Sequence, residues 1–365
     1  MKIKKLNFKI LQSFSIFSIC LIILYLFSHN FFFSFVISFF LIELFFGSWL
    51  LKNNFSSLII PRNITKVWEP KHYNSKHAAM YKRDENGFRG DFIDVSSVDI
   101  VTLGGSTTDE RWIDEKLTWS HLLQEELALK GFNIKVANAG VDGQSTLGHL
   151  FNFDMWFNKI PNFKPKIFLL YIGINDSAAL LRTLNSNKFE KFLYRSDYLL
   201  DRNINDRIFK YLKNNSFIYK VHKLKSGIKE AKKYNLIHST DTWNEKNISK
   251  PYEFKYNNIT QKFSNEYKDR LKTLIDKIGK FGSEAIVITQ TLSPNHILFN
   301  LLKYINEETK KVCNIKSINC LCLDDEPNFY NKVDFYDGIH TRPSGNRKIA
   351  KYISEKIQKK LKEKI

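Results

Sequence analysis

Apolar and polar positions divide the chain into an apolar N-terminal part and a longer part in which short apolar runs alternate with amphipathic stretches. Two apolar stretches come first, Ile10 to Phe27 and Phe31 to Leu51, with Ser28-His29-Asn30 between them. Both approach the roughly 20 residues that a membrane-spanning helix needs. The pattern predicts a membrane anchor in residues 1–51, formed by one transmembrane helix or by a helical hairpin.

The number of spans decides on which side of the membrane the rest of the chain lies. Two spans place it on the cytoplasmic side together with the lysines of residues 2–9, in agreement with the positive-inside rule. One span from Ser18 to Ile42 moves Glu43 to the interface, where a carboxylate is less costly, and places the rest of the chain outside. The sequence predicts location at a cell membrane and leaves the side open.

Beyond the anchor, short apolar runs rich in branched residues predict buried strands. Amphipathic stretches between them predict helices, among them Asp114 to Lys130 and Tyr267 to Ile278, and a further helix is expected from about Gly345 to Lys364. This alternation predicts an α/β fold with a five-stranded parallel sheet. The predicted strands are Val98–Leu103, Lys135–Ala137, Ile167–Ile172, Glu284–Thr289 and Leu321–Leu323.

The predicted domain boundaries follow from the same pattern. Residues 52–97 form a linker and lead-in segment that ends in Asn86-Gly87-Phe88-Arg89-Gly90, a turn whose Phe88 is expected to pack on the domain edge. Residues 98–365 form the globular domain. A variable insertion at about 178–262 is predicted either to cap the functional site or to be a passive helical insertion.

Four short polar motifs follow predicted strands or precede a predicted helix. They are Gly104 to Thr108, Asn138 to Gly143, Gly173 to Asp176 and Asp337 to His340. The carboxyl ends of parallel strands meet at one edge of a sheet, where open α/β folds bind ligands. Each motif alone is typical of an ordinary turn, but their order and positions together indicate a site.

The residue types in these motifs fit nucleophilic catalysis. The hydroxyl of Ser106 needs a base within hydrogen-bond reach, and His340 can serve if a carboxylate orients its ring. Asp337, three residues before His340, is the preferred carboxylate, and Asp334 is a more distant rival. A main-chain N–H and the side-chain amide of Asn175 are suitable donors to a developing oxyanion.

These motifs resemble those of the SGNH hydrolases, also called the GDSL esterase/lipase superfamily, and the membrane-anchored bacterial type among them. The resemblance implies that Ser106, Asp337 and His340 are catalytic and that Ser106, Gly143 and Asn175 form the oxyanion hole. Gly143 fits the family's Asn-x-x-x-x-Gly spacing better than Gly140 does. The resemblance also implies a flavodoxin-like three-layer α/β/α fold with no metal or organic cofactor. In one departure, Gly104-Gly105-Ser106 replaces the family's Gly-Asp-Ser.

Charge distribution and motif content argue against a nucleic-acid-binding protein. The net charge is +19, from 56 basic and 37 acidic residues, but the lysines are spread along the chain and no nucleic-acid-binding motif is present. We therefore expect no nucleic-acid partner. A disulfide between Cys313 and Cys320 would fit an exported domain, and free thiols would fit a cytoplasmic one.

The resemblance implies a serine esterase that hydrolyses an ester, such as an O-acetyl group, on a cell-envelope glycan or lipid. The expected location is a bacterial inner membrane, and the oligomeric state stays open. Three alternatives remain. The same residues could serve an O-acetyltransferase acting on a surface polysaccharide, or a lipase or thioesterase for longer acyl chains, or the fold could be a non-catalytic envelope scaffold.

Overall fold

The computed structural model describes residues 2–47, 62–68, 79–186, 250–253, 255–327 and 329–364, together with residues 49 and 60 and short pieces between 208 and 226. The chain divides into two compact units. One contains Met1–Ser57 with Tyr198–His238, and the other contains Leu58–Asp197 with Ser239–Ile365. Part of the predicted insertion therefore groups with the N-terminal segment.

The first unit contains a helical hairpin, α1 (Lys2–Ser28) and α2 (Phe31–Phe46). The predicted transmembrane helices are not confirmed, because no helix in the described part of the chain is both long and apolar enough to cross a membrane. Glu43 is buried in this unit and has partners. Its carboxylate accepts from the main-chain N–H groups of Phe217 at 2.9 Å and Ile218 at 3.1 Å.

The second unit begins with an antiparallel pair of strands, β1 (Ile64–Trp68) and β2 (Ala79–Arg83). After β2 the chain turns, and the N–H of Arg89 donates to the carbonyl of Asn138 at 2.8 Å. Phe88 packs on the domain as predicted, with its ring centroid 5.2 Å from that of Trp156. The described end of the lead-in segment is thus attached to the edge of the main sheet.

The main sheet confirms the predicted α/β class and the five parallel strands. The last strand begins earlier than predicted, because only Leu321 of the predicted Leu321–Leu323 lies in it. Each strand pairs in parallel with its neighbours, in the spatial order β4-β3-β5-β6-β7. This order, with the first strand of the sheet in second place, is that of the flavodoxin-like folds. The strands are β3 (Ile100–Gly104), β4 (Val136–Asn138), β5 (Ile167–Tyr171), β6 (Glu284–Ile288) and β7 (Asn319–Leu321).

Seven further helices accompany these strands in the described residues. They are α3 (Ser106–Asp109), α4 (Trp119–Leu129), α5 (Thr146–Met155), α6 (Ile174–Ser186), α7 (Asn258–Lys280), α8 (Phe299–Lys316) and α9 (Pro343–Lys364).

The central strand β5 shows how the helices cover both faces of the sheet. Its residues alternate between the two faces, as in any strand. Leu169 and Tyr171 pack into the apolar core that α4 and α9 supply, whereas Phe168 contacts Phe153 of α5 and Phe281 at the end of α7. The unit therefore has three layers, and its core lies on both sides of a sheet whose strands β3 and β5 are buried along their whole length.

Candidate active site

Ser106 lies where β3 ends and the short helix α3 begins. Its side chain is 8% exposed, at the carboxyl edge of the sheet. The two glycines before it are required by close packing. A β-carbon at Gly104 would overlap with the side chain of Thr108 and with the carbonyl of Tyr171, so only glycine fits this turn without displacement.

The structure brings Ser106, His340 and Asp337 into one hydrogen-bonded line. Nε2 of His340 lies 2.8 Å from Oγ of Ser106, and Nδ1 lies 2.7 Å from Oδ2 of Asp337. Asp337 can only accept when ionised, so Nδ1 of His340 carries the proton and the lone pair of Nε2 faces the serine. The other carboxylate oxygen, Oδ1, accepts from the N–H groups of Ile339 at 3.0 Å and His340 at 2.7 Å.

Asp334, the alternative carboxylate, has other partners. Its side chain pairs with Nζ of Lys348, and its carbonyl accepts from the N–H of Arg342 at 2.7 Å. It therefore stabilises the loop before α9 and makes no hydrogen bond with His340 in the described structure. The ring of Tyr336 stacks on that of His340 at a centroid distance of 5.6 Å and fixes the plane of the imidazole.

Asn175 and the turn that contains Gly143 both lie beside Ser106. Nδ2 of Asn175 donates to the carbonyl of Gln144 at 3.0 Å and packs against Gly105. The N–H of Val141 donates to the carbonyl of Gly104 at 3.0 Å, which attaches the turn to the end of β3. Because a side-chain amide has two hydrogens, Asn175 retains one for another acceptor.

Gly140 serves the turn itself. Its N–H donates to Oδ1 of Asn138 at 2.9 Å, and its carbonyl accepts from Arg83. By contrast, none of the hydrogen bonds among the described residues uses the N–H of Gly143 or of Ser106. This difference favours Gly143 over Gly140 as an oxyanion donor.

Gln144 is fixed by a buried network that the sequence did not indicate. Its side chain exchanges two hydrogen bonds with Asn152, at 2.8 and 2.9 Å, and lies 3.0 Å from Nδ1 of His149. Burial lowers the pKa of His149 to about 3, so the imidazole stays neutral at ordinary pH. Because Gln144 is rigid, its carbonyl gives Asn175 a fixed acceptor.

A buried charged cluster lies at the far end of α3. Arg83 and Tyr81 both donate to Oδ1 of Asp109, at 2.6 and 2.9 Å. Burial alone would raise the pKa of Asp109, but Arg83 and Arg111 outweigh it and hold the pKa below its ordinary value. Arg111 also pairs with Asp142 at 2.8 Å, which connects α3 to the turn before Gly143.

A second imidazole lies near the Asp337–His340 pair. Nδ1 of His296 accepts from the N–H of Leu298 at 3.1 Å, so its neutral ring carries the proton on Nε2. Burial lowers the pKa of His296 to about 4. The loop before it is joined to the loop of Asp337 because Ser293 donates to the carbonyl of Gly338 at 2.7 Å.

Sequence reasoning also missed Gln290, which follows the last residues of β6. Its side chain donates at 2.8 Å to Oγ1 of Thr107, the residue that follows Ser106. The available signal was positional: a polar residue directly after an apolar parallel strand lies at the edge where sites form.

Among the described residues, one cluster of three acidic side chains has the spacing of a metal site, but the side chain of a lysine lies among them. Glu307, Asp324 and Asp325 each pair with Nζ of Lys310, at 3.0, 3.1 and 2.6 Å. This cation neutralises the cluster, so these residues do not fit a metal centre. The cysteines are free thiols, and Cys313 and Cys320 are not bridged.

Several solved structures and one family model are similar to this chain. Among solved structures, the lipase/acylhydrolase from Enterococcus faecalis matches with 16% identity and a TM-score of 0.42, over 72% of this chain and 97% of that one. Est24, a carbohydrate acetylesterase from Sinorhizobium meliloti, matches with 10% identity and a TM-score of 0.41, over 72% and 99%. No curated protein matches the sequence. The family model of the GDSL-like lipases and acylhydrolases matches residues 100–353, and the chain belongs to this family of ester-hydrolysing enzymes.

Proposed function

We propose that the chain is a serine esterase in which Ser106 is the nucleophile, His340 the general base and Asp337 the group that orients the base. Family membership gives the reaction class, the hydrolysis of an ester. The single observation that carries the residue assignment is the unbroken line of hydrogen bonds from Asp337 through His340 to Ser106.

Acylation begins at the serine hydroxyl. Nε2 of His340 takes the proton as Oγ of Ser106 attacks the ester carbonyl carbon. Negative charge then develops on the carbonyl oxygen, and the N–H groups of Ser106 and Gly143 with the side-chain amide of Asn175 donate to it. His340 returns the proton to the leaving alcohol as the carbon–oxygen bond breaks. Asp337 stabilises the imidazolium that exists between these two transfers.

Deacylation repeats the sequence with water. His340 takes a proton from water, whose oxygen attacks the acyl carbonyl, and the same donors stabilise the second oxyanion. The imidazolium then protonates Oγ of Ser106, which leaves as the carboxylic acid product is released. The enzyme returns to its starting state with the atoms and charges balanced.

The proposed substrate is an ester on a cell-envelope glycan or lipid, with the O-acetyl group as the simplest case. The resemblance of the motifs to those of bacterial relatives that act on envelope polymers supports this choice. The proposed location, at a bacterial inner membrane, rests on the same resemblance and on the apolar N-terminal sequence.

Two experiments test the proposal. A fluorophosphonate probe should phosphonylate Ser106 with loss of fluoride. Labelling should disappear in Ser106→Ala and persist in Ser354→Ala, whose hydroxyl bonds only to the carbonyl of Lys351 within α9. Equal labelling of both variants would contradict the assignment, and no labelling of the parent enzyme would favour a non-catalytic scaffold.

A substrate panel distinguishes the remaining activities. Acetylated glycans and aryl esters of increasing chain length should show a preference for the acetyl group. A preference for long chains would instead indicate a lipase or thioesterase. If the trapped acyl-enzyme passes its acyl group to a sugar faster than to water, the chain is an O-acetyltransferase.

A further inference from the structure

Gln290 follows the carboxyl end of β6 and is 2% exposed. The carboxyl ends of β3 and β5 lie at the same edge of the sheet, because the three strands are parallel. Its main chain is fixed by the side chain of Asn306. The carbonyl of Gln290 accepts from Nδ2 of Asn306 at 2.8 Å, and its N–H lies 3.4 Å from Oδ1 of the same residue. Asn306 thus pairs with Gln290 much as a neighbouring strand would.

The side chain of Gln290 joins two of the site motifs. Oε1 accepts from the N–H of Ile174 at 2.8 Å, and Nε2 donates to Oγ1 of Thr107 at 2.8 Å. The N–H of Ile174 is at the start of α6 and has no partner within the helix, so it needs an outside acceptor. Both bonds can form together only when the amide has this one orientation.

The two partners of Gln290 are the immediate neighbours of the proposed catalytic groups. Thr107 follows Ser106, and Ile174 precedes Asn175. The bridge therefore joins the turn of the nucleophile to the helix that carries the oxyanion donor. The bridge joins positions that are far apart in sequence. It gives hydrogen-bond partners to both Oε1 and Nε2 of the buried Gln290 side chain, and a buried polar group without a partner would be costly.

We propose that Gln290 is a positioning residue that fixes the distance between Ser106 and the side-chain amide of Asn175. The inference rests on the proposed function, since it assigns Gln290 a role in stabilising the oxyanion. A displacement of about 1 Å in such a constellation can cost about 100-fold in rate. The bridge prevents this displacement by making the two turns move together.

Replacement by methionine tests the role. Gln290→Met keeps the length of the side chain and removes both hydrogen bonds. We expect kcat on an aryl acetate to fall about 10- to 100-fold with KM changed less than about threefold, because the loss is confined to transition-state stabilisation. Gln290→Glu should recover part of this loss, since its carboxyl can accept from Ile174 and from the hydroxyl of Thr107.

A double-mutant comparison separates positioning from general stability. If Gln290 acts through Asn175, then Gln290→Met should change kcat by less than about threefold in an Asn175→Ala background, where the donor is already lost. Thr107→Val, which is isosteric, should also lower kcat and should add little to Gln290→Met. Ser283→Ala is the matched control, because it removes a hydrogen bond to the carbonyl of Pro165 before the other end of β6.

The outcomes are distinguishable. Equal fold-losses from Gln290→Met in the parent and Asn175→Ala backgrounds, or full kcat in Gln290→Met, would overturn the inference. If Gln290→Met does not fold, then Thr107→Val decides, and unchanged kcat in that variant overturns it. Absence of Ser106-dependent hydrolysis in the parent enzyme would instead show that the proposed function itself is wrong.

Discussion

The side-chain amide of Asn175 lies against the main chain of Gly105, in space that a β-carbon at position 105 would fill. The carbonyl oxygen of Gln144 lies 3.2 Å from the position that this β-carbon would take. Glycine at position 105 thus lets the amide approach the peptide that precedes Ser106. This packing gives a physical reason why Gly104-Gly105-Ser106 is found where the family's name implies Gly-Asp-Ser.

We expect both Gly105→Ala and Gly105→Asp to lower kcat at least about tenfold, because Asn175 must move away from the added atoms. Steady-state kinetics on an aryl acetate would measure the effect. Gly279→Ala is the control, since a β-carbon there meets no atom within 4 Å. That variant should keep full activity. Full activity in Gly105→Asp would show that Asn175 has room to accommodate a side chain at position 105.

The amide of Asn175 can be tested directly. Asn175→Ala should reduce kcat by about 10²- to 10³-fold with little change in KM, as removal of one oxyanion donor typically does. The donor binds charge that exists only in the transition state, so the affinity for the substrate should not depend on it. A rise in KM with unchanged kcat would mean that Asn175 binds the ground state of the substrate.

The sheet and the site motifs could be predicted because their signals are local. An apolar run such as Ile167 to Ile172 must be buried, and the polar residues that follow it must lie at the edge of the sheet. Ser106 and Asn175 both follow such runs, and Asp337 and His340 are close enough in sequence to meet in one loop. Fold class and candidate nucleophile therefore followed from pattern and spacing.

Contacts between distant positions could not be predicted in this way. Nothing local to Gln290 indicates that it bridges Thr107 and Ile174, and nothing near Arg83 indicates that it pairs with Asp109. Both depend on how elements pack after the strands have been ordered. In the N-terminal hairpin, a local signal was present, but its prediction is not confirmed. Apolar composition alone predicted membrane spans, and no described helix is long and apolar enough to cross a membrane.

The proposed role of Asp337 in orienting His340 can also be tested. Asp337→Asn should lower kcat by about 10³- to 10⁴-fold, since an amide no longer fixes the imidazole tautomer or stabilises the imidazolium. Asp334→Asn is the matched control, because Asp334 lies in the same loop as Asp337 but pairs with Lys348 of α9. It should keep kcat within a few-fold of the parent value. Equal losses in the two variants would mean that the whole loop, and not Asp337 alone, determines activity.

The buried pair of Arg83 and Asp109 should matter for stability. Both side chains are 1% exposed. Asp109→Asn leaves Arg83 buried without its counter-charge, which typically costs about 3–5 kcal/mol in the free energy of unfolding. Urea unfolding would measure the loss. Asp269→Asn should change stability by less than about 1 kcal/mol, because its pair with Lys272 is exposed. Similar values for the two variants would contradict this account.

The buried imidazoles predict how stability depends on pH. Burial lowers the pKa of His149 to about 3 and that of His296 to about 4, from an ordinary value of 6.5. Below pH 6.5 the unfolded chain binds protons at these positions and the folded protein does not. The free energy of unfolding should therefore fall on acidification towards pH 4, by up to about 1.4 kcal/mol per pH unit for each histidine.

The variants His149→Gln and His296→Gln isolate this effect. Each variant should reduce the slope of unfolding free energy against pH between pH 6 and 4.5. The reduction should correspond to the uptake of up to one proton per molecule, and the double variant should show the sum of the two reductions. Burial raises the pKa of Glu110, which works in the opposite direction but equally in parent and variants. Urea unfolding at several pH values provides the slopes. Parallel curves for parent and variants would show that neither histidine is held neutral by the fold.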